Sequence, residues 1–362
     1  MRSKYSGKQL LTSSFVILSF IFGCIFTLAL MPIDKTCQID NSDREYNIMK
    51  NSKLKNPELI ILILSAPTNF ERRKVIRETW LKLKPSDENV FKVKHYFVIG
   101  VVSLPLDSNK LISKEQIQYN DILMLPIEDS YKNLTEKMKL SFQWLDTQYD
   151  YGLGFKYVLK CDDDSFVNLN QFVLCLMNIE KEMITTKHDG YLETDITNKL
   201  ISTNFQNSGP AEIAHLYWGY FNGNAKIKSK GKWKDTNWIA SDRYIPYALG
   251  GGYLVSKELV SYIGRNIEHL KSFNSEDVSI GFWLSPVNGV FRIHDIRFDT
   301  EWASRGCKNN HLITHNISPV EMTQYYQNLE KTGKMCAREV TYRAYYVYNW
   351  SVPTSQCCKP SK

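Results

Sequence analysis

From Pro57 onward, short continuous apolar runs alternate with amphipathic stretches of helical period. Glu58 to Leu64 is a buried-strand run, followed by a helix start at Thr68 and an amphipathic stretch to about Leu83. The pattern then repeats: Lys94 to Val102 and Asp121 to Leu125 read as strands, Tyr131 to Tyr149 as a helix, Phe155 to Cys161 as a strand and Leu169 to Glu182 as a helix. Strands that are apolar throughout must be covered on both faces. The chain is therefore expected to be α/β, with a mainly parallel central sheet and flanking helices. Sheets of this kind bind ligands beyond the carboxyl ends of their strands.

Asp162, Asp163 and Asp164 stand at such a strand end, with Phe166 and Val167 resuming the apolar pattern directly afterwards. Three adjacent carboxylates repel one another, and a cation is the natural compensation at the edge of a core. A solvated acidic turn is the plainer alternative. Formal charge adds little: 45 Lys and Arg against 38 Asp and Glu leave +7, too diffuse for a nucleic-acid binder.

The N-terminal segment sets the topology. Leu10 to Ile33 carries no charge over twenty-four positions, enough to span a bilayer, whereas a cleaved signal peptide has an apolar region of only about 7 to 15 residues. Arg2, Lys4 and Lys8 precede the run, and mainly acids follow it, so the positive-inside rule leaves the N-terminus cytosolic. The expected division is a cytosolic tail (1–9), a signal-anchor (10–33), a polar stem (34–56) and a lumenal catalytic domain (57–362). A lumenal location agrees with three glycosylation triplets, at Asn133, Asn316 and Asn349. It also agrees with four cysteines near the C-terminus, Cys307, Cys336, Cys357 and Cys358, able to form two disulfides. A bridge between the neighbours Cys357 and Cys358 is geometrically the least favoured pairing. Cys161 and Cys175 lie in core-like segments and read as free thiols.

Several blocks carry a resemblance: Ser65-Ala-Pro, ERRKVIRETW (Glu71 to Trp80), DSYKNLTEK (Asp129 to Lys137), YVLKCDDDSFVNL (Tyr157 to Leu169), YIPYALGGGYLVS (Tyr244 to Ser256) and EDVSIG (Glu276 to Gly281). In this order, behind an N-terminal anchor, the chain resembles the β-1,3-glycosyltransferase family of the Golgi. Its tail, with RFDTEWASRGC (Arg297 to Cys307) and YVYNWSVPTSQCC (Tyr346 to Cys358), resembles the branch that builds the glycosaminoglycan linker. The resemblance implies a GT-A type fold, Mn²⁺, a UDP-galactose donor, a galactosyl-xylosyl proteoglycan core protein as acceptor, and inversion at the anomeric carbon. N-acetylglucosamine transfer to a terminal galactose is the alternative chemistry, and a membrane-anchored lectin the non-enzymatic one.

By the same resemblance, Asp162, Asp164 and His294 would hold the cation, with Asp164 the foremost ligand. Asp277 would be the base that takes the proton of the acceptor 3-hydroxyl, and Glu276 would orient the acceptor, the two roles being exchangeable. A helix-opening Asp is otherwise an N-cap. Ser65, Arg73, Arg77, Lys137, Asp163, Gly251 and Gly252 are expected around the donor. Arg73 and Arg77 share a helix face and offer forks to a diphosphate. Gly250, Gly251 and Gly252 interrupt an apolar strand, as a backbone closely approached by sugar would.

Outside these blocks, Lys226, Lys228, Lys230, Lys232 and Lys234 recur at every second position, one face of an extended chain. They read either as a solvated hairpin edge or as a landing site for an anionic acceptor, an acidic core-protein segment or a phosphorylated linker sugar.

Overall fold

The strand runs Leu59–Leu64 (β1), Val93–Val102 (β2), Ile122–Glu128 (β3) and Tyr157–Asp162 (β4) pair side by side in parallel and form one half of a nine-stranded sheet. The computed structural model describes residues 56–85, 91–186, 192–194, 200–202 and 215–360. The cytosolic tail, the Leu10–Ile33 span, Cys24, Cys37 and the stem up to Lys55 lie outside the described residues. Among the described residues, no helix is long and apolar enough to cross a membrane.

After β4 the chain forms a short strand, Phe166–Val167 (β5), and the remaining sheet strands are Leu192–Thr194 (β6), Leu200–Ser202 (β7), His215–Asn222 (β8), Tyr247–Ser256 (β9) and Val290–His294 (β10). Their order is β3-β2-β1-β4-β9-β8-β10-β6-β7. Among the described residues, five of the eight neighbouring pairs are parallel, so the sheet is mainly parallel, and the antiparallel pairs fall around β9 and at the β6–β7 edge.

Successive residues of β1 feed two cores. Leu59, Ile61 and Ile63 pack with Ile76 of helix α1 (Phe70–Glu78), while Ile60, Leu62 and Leu64 pack with Met138, Phe142 and Leu145. Helix α2 (Leu106–Tyr119) follows β2, and Met138 to Leu145 belong to helix α3 (Leu134–Asp150). Helix α4 (Leu169–Thr186) joins the first core through Phe172, Val173 and Leu176. Helices α5 (Lys257–Arg265) and α6 (Glu276–Leu284) join the second. Period two in the strand thus splits one sheet into two dry faces.

Three local outcomes differ from the pattern. The stretch expected to be helical to Leu83 breaks at Thr79, whose hydroxyl donates to the Val75 carbonyl, and continues as a 3₁₀ turn, Trp80–Leu83. The α3 pattern begins with a 3₁₀ turn, Tyr131–Asn133, before helix sets in. Helix α2 has no counterpart in the sequence reading, because its apolar residues Leu106, Leu111 and Ile117 are exposed and give no core-facing period.

A smaller sheet positions the site. Strand β13 (Ile313–Thr314) lies between β11 (Phe298–Asp299) and β5, pairing antiparallel with β5 directly after the three aspartates. The tail is held by a ladder of β12 (Gly306–Cys307) with β14 (Val340–Thr341), by helix α7 (Pro319–Thr332) and by the Cys307–Cys336 disulfide. The second disulfide joins the neighbours Cys357 and Cys358, the pairing that geometry disfavours. The strand-like contact of Tyr346 with Pro360 and the Asn349 N–H bond to the Cys357 carbonyl pin this segment locally.

Candidate functional site

Asp162 ends β4, and Asp163 and Asp164 form the turn into β5, so the three acids stand at the carboxyl end of a central strand. The β5–β13 pairing then carries the residue after β13, His315, onto them. His315 Nε2 lies 3.2 Å from Asp164 Oδ1 and 3.7 Å from Asp162 Oδ2. Its Nδ1 is 3.1 Å from the Glu301 carbonyl, which can only accept, so Nδ1 carries a proton and Nε2 is the nitrogen turned to the acids. Asp162, Asp164 and His315 bring three ligand atoms within 4.8 Å of one another. Burial works against a proton on His315, yet the hydrogen bond to Asp164 and the charges of both acids raise its pKa. Asp164 Oδ1 is buried without a well-formed hydrogen bond. Two carboxylates, one imidazole oriented by a carbonyl and an unsatisfied oxygen fit a divalent cation of the Mn²⁺ type.

His294 is not part of this cluster. It is fully buried at the end of β10, where Nδ1 accepts from the Phe221 N–H at 3.0 Å and Nε2 donates to the Tyr346 carbonyl at 2.9 Å, with its ring stacked on Tyr346. Both nitrogens are spent on backbone, and burial lowers its pKa to about 4. The imidazole beside Asp162 and Asp164 is that of His315, not His294.

On the other side of the aspartates stands the opening of α6. Asp277 Oδ2 accepts from the Gly250 N–H at 2.9 Å and Oδ1 from the Val278 N–H at 2.8 Å, while Ser275 takes the N-cap position. Burial raises the Asp277 pKa against the pull of Lys160 and of these two donors. Glu276 is 5% exposed and its carboxylate contacts Lys160. Lys160 Nζ also reaches Asp162 Oδ1 at 2.9 Å and the Gly250 carbonyl at 2.5 Å. One buried ammonium therefore links the aspartate cluster to the acid pair of α6. Burial pushes the Glu276 carboxyl up to about 8 despite Lys160, with Asp277 and Asp162 adding to the rise. Burial disfavours the Lys160 charge, but Asp162 and Glu276 hold it ionised.

Most of the expected donor contacts form a buried frame behind the acids. Ser65 Oγ donates to Asp163 Oδ2 at 2.7 Å and Asn69 Nδ2 to the same oxygen at 2.8 Å. Arg73, fully buried, pairs with Glu115 at 2.8 Å and donates to Ser65 Oγ and the Ala66 carbonyl. Lys137 binds Asp129 at 2.7 Å and the Ser65 carbonyl at 2.6 Å. Arg77 forks onto Asp121 at 2.8 Å and lies between the rings of Phe97 and Tyr119. Neither arginine faces an open donor cleft, because the face they share on α1 is the core face. Their neighbour Arg72, on the adjoining face and partly exposed, lies 3.6 Å from both Asp163 and Asp164.

The three glycines of β9 are closely approached by neighbouring protein. A Cβ on Gly251 would lie 2.6 Å from the His315 ring, one on Gly252 2.9 Å from Ile313, and one on Gly250 3.2 Å from Asp277 Oδ2. They let β13 and α6 close onto β9. Of the glycosylation triplets, Asn133 donates to the Glu128 carbonyl, Asn316 to the Trp302 carbonyl, and Asn349 is exposed with Oδ1 accepting from Ser351.

A profile of the family described as Galactosyltransferase matches residues 71–294. Beta-1,3-galactosyltransferase 6 of Mus musculus is 40% identical over 304 residues, covering 83% of this chain and 82% of that protein. The chain belongs to the galactosyltransferase family. UDP-GalNAc:beta-1,3-N-acetylgalactosaminyltransferase 2 of Xenopus laevis is 26% identical over 229 residues, and the match spans only 39% of that longer protein. Among solved structures, a glycosyltransferase involved in the glycosylation of the major capsid of PBCV-1 covers 74% of this chain at 14% identity with a TM-score of 0.33, too low to carry weight.

In this galactosyltransferase two site residues, His315 and Arg72, escaped the sequence reading. His315 lies outside the matched profile and reaches Asp164 only through the β5–β13 pairing. Arg72 had a visible signal, since it adjoins Arg73 in the same block.

Proposed function

We propose that this chain transfers galactose from UDP-galactose, with inversion and in β-1,3 linkage, to the galactose of a galactosyl-xylosyl-protein, as a type II membrane protein of the Golgi. The observation that carries the reading is that the aspartate cluster and the opening of α6 converge, joined by Lys160. Supporting it are the 40% identity to a relative named as a β-1,3-galactosyltransferase and the likeness of the tail to galactosylxylosylprotein 3-β-galactosyltransferase.

Asp162, Asp164 and His315 would hold Mn²⁺, which as a Lewis acid supplies neutralisation of the charge that grows on the leaving diphosphate. Asp277 takes the proton from the acceptor 3-hydroxyl as its oxygen attacks C1 of galactose from the face opposite the diphosphate. The backbone N–H groups of Gly250 and Val278 fix that carboxylate in place. Arg72 stands beside Asp163 and Asp164 as a cation for the diphosphate side.

The test is Asp277→Asn, assayed with UDP-galactose and a galactosyl-β-1,4-xyloside, with UDP-N-acetylglucosamine and UDP-N-acetylgalactosamine as control donors. Turnover should drop by roughly 10²- to 10⁴-fold while UDP binding persists. Near-native turnover in the variant, or preference for an N-acetylated donor, would overturn the assignment.

A further inference from the structure

The five alternating lysines do not form the strand their spacing suggests. Residues 226–243 are an irregular excursion between β8 and β9: Lys226 bridges to Arg243, the Asp235 N–H donates to the Lys228 carbonyl, and Gly231 turns the chain at φ +77°. All five lysines are exposed, and no acidic side chain of the described residues pairs with any of them. A loop that needed these charges for its own stability would pair at least some of them.

The loop is tied to the catalytic opening of α6. Asn274, two residues before Glu276, donates through Nδ2 to the carbonyls of Lys232 at 2.9 Å and Lys234 at 3.1 Å. Trp238 packs against Phe273 and Phe282 from the same side. Lys232 Nζ lies 4.4 Å from the Trp233 ring centroid and 4.9 Å from that of Tyr131. Burial pushes the Tyr131 phenol up to about 12, and the charges of Asp277, Asp162 and Glu276 add to the rise, so this half-exposed ring is within electrostatic reach of both acid clusters. The basic loop thus borders the site on the side of Asp277.

We propose that the Lys226–Lys234 loop is a docking surface for an acidic peptide segment flanking the acceptor sugar. The inference rests on Asp277 being the base, because the loop is tied to the start of the helix that carries Asp277. Unpaired exposed lysines attract a flexible anionic chain without demanding a fixed geometry, and Trp233 and Tyr131 supply apolar rings beneath it. Such a surface lowers KM for acceptors on acidic protein and leaves the chemical step alone.

The experiment uses the full chain and the variant K226Q/K228Q/K230Q/K232Q/K234Q, with matching thermal midpoints confirming that the fold is kept. Three acceptors carry the same galactosyl-xylosyl unit: a small neutral aglycone, a neutral peptide and an acidic peptide of equal length. For the acidic peptide the variant should raise KM roughly tenfold at low salt, as expected from several weak ion pairs lost together, with kcat unchanged. The salt dependence of that KM should also flatten. Kinetics with the neutral acceptors should not move. An equal KM change for all three acceptors, or none for the acidic one, would overturn the proposal, as would lysine substitution that weakens only binding to anionic lipid vesicles. Fluorescence anisotropy with a labelled, sugar-free acidic peptide separates the two levels. Binding lost in the variant while the wild type transfers no galactose would sink the transferase reading and keep the surface. Transfer without preference for acidic peptide would do the reverse.

Discussion

Replacing Lys160 by methionine removes a cation that is 1% exposed and touches Asp162, Glu276 and the Gly250 carbonyl. At the 2.9 Å separation from Asp162 and an effective dielectric constant of about 20, the gross attraction of one such pair is roughly 6 kcal/mol. Most of this is offset by desolvation, but deleting one partner strands the other. Asp162 is one-third exposed at its side chain and can rehydrate, whereas Glu276 is buried and Oε2 has no hydrogen-bond partner. The cost of Lys160→Met should therefore be about 3–5 kcal/mol, with protonation of Glu276 setting the ceiling. Adding Glu276→Gln removes the stranded carboxyl group, so the double variant should recover about 2 kcal/mol relative to the sum of the singles. Guanidinium unfolding of the four proteins, followed by tryptophan fluorescence, measures this cycle. Strict additivity would show that Lys160 acts through Asp162 and the Gly250 carbonyl alone, and the proposed link to α6 would be wrong.

Other expectations concern pH and packing. Burial lowers both His294 and His311 to about 4, below the 6.5 of an unfolded histidine, so between these values the unfolded chain binds protons that the folded one refuses. The contribution of each histidine is fully present above pH 6.5 and declines toward pH 4, by roughly 2 kcal/mol at pH 5. Because Glu276, raised to about 8, contributes in the opposite direction, the check compares wild type with His294→Gln at pH 7 and 5: the variant should lose less stability between the two by roughly 2 kcal/mol. An unchanged pH 7-to-5 difference in His294→Gln would contradict the buried neutral assignment. Gly251→Ala places a methyl 2.6 Å from the His315 ring. The Mn²⁺ concentration for half-maximal activity should rise roughly 10- to 100-fold, and an unchanged value would show that His315 does not serve the metal from this position.

Local chemistry explains what could be read ahead of the structure. The strand runs, the two-faced core, the aspartates at the end of β4 and Asp277 at the start of α6 depend on neighbours in sequence and on periods of 2 and 3.6. Long-range pairing explains what could not. His294 is the expected ligand, and nothing connects His315 to the aspartates until β13 is known to pair with β5, nearly 150 residues earlier. Arg73 and Arg77 share a face, but whether that face is core or cleft depends on Glu115 and Asp121, which fold against it. The lysine alternation has strand period without a partner strand, so it folds as a turn instead. The bridge between the neighbouring cysteines runs against the local geometry that spacing suggests.

The most direct test is Mn²⁺ binding, measured by titration calorimetry in the presence of UDP, for His315→Ala and His294→Ala side by side. Affinity should fall at least tenfold in the first and stay within twofold of wild type in the second, since one imidazole faces Asp162 and Asp164 and the other is closed between Phe221 and Tyr346. The opposite pattern would place the cation elsewhere, and the catalytic arrangement built on Asp162, Asp164 and Asp277 would fail with it.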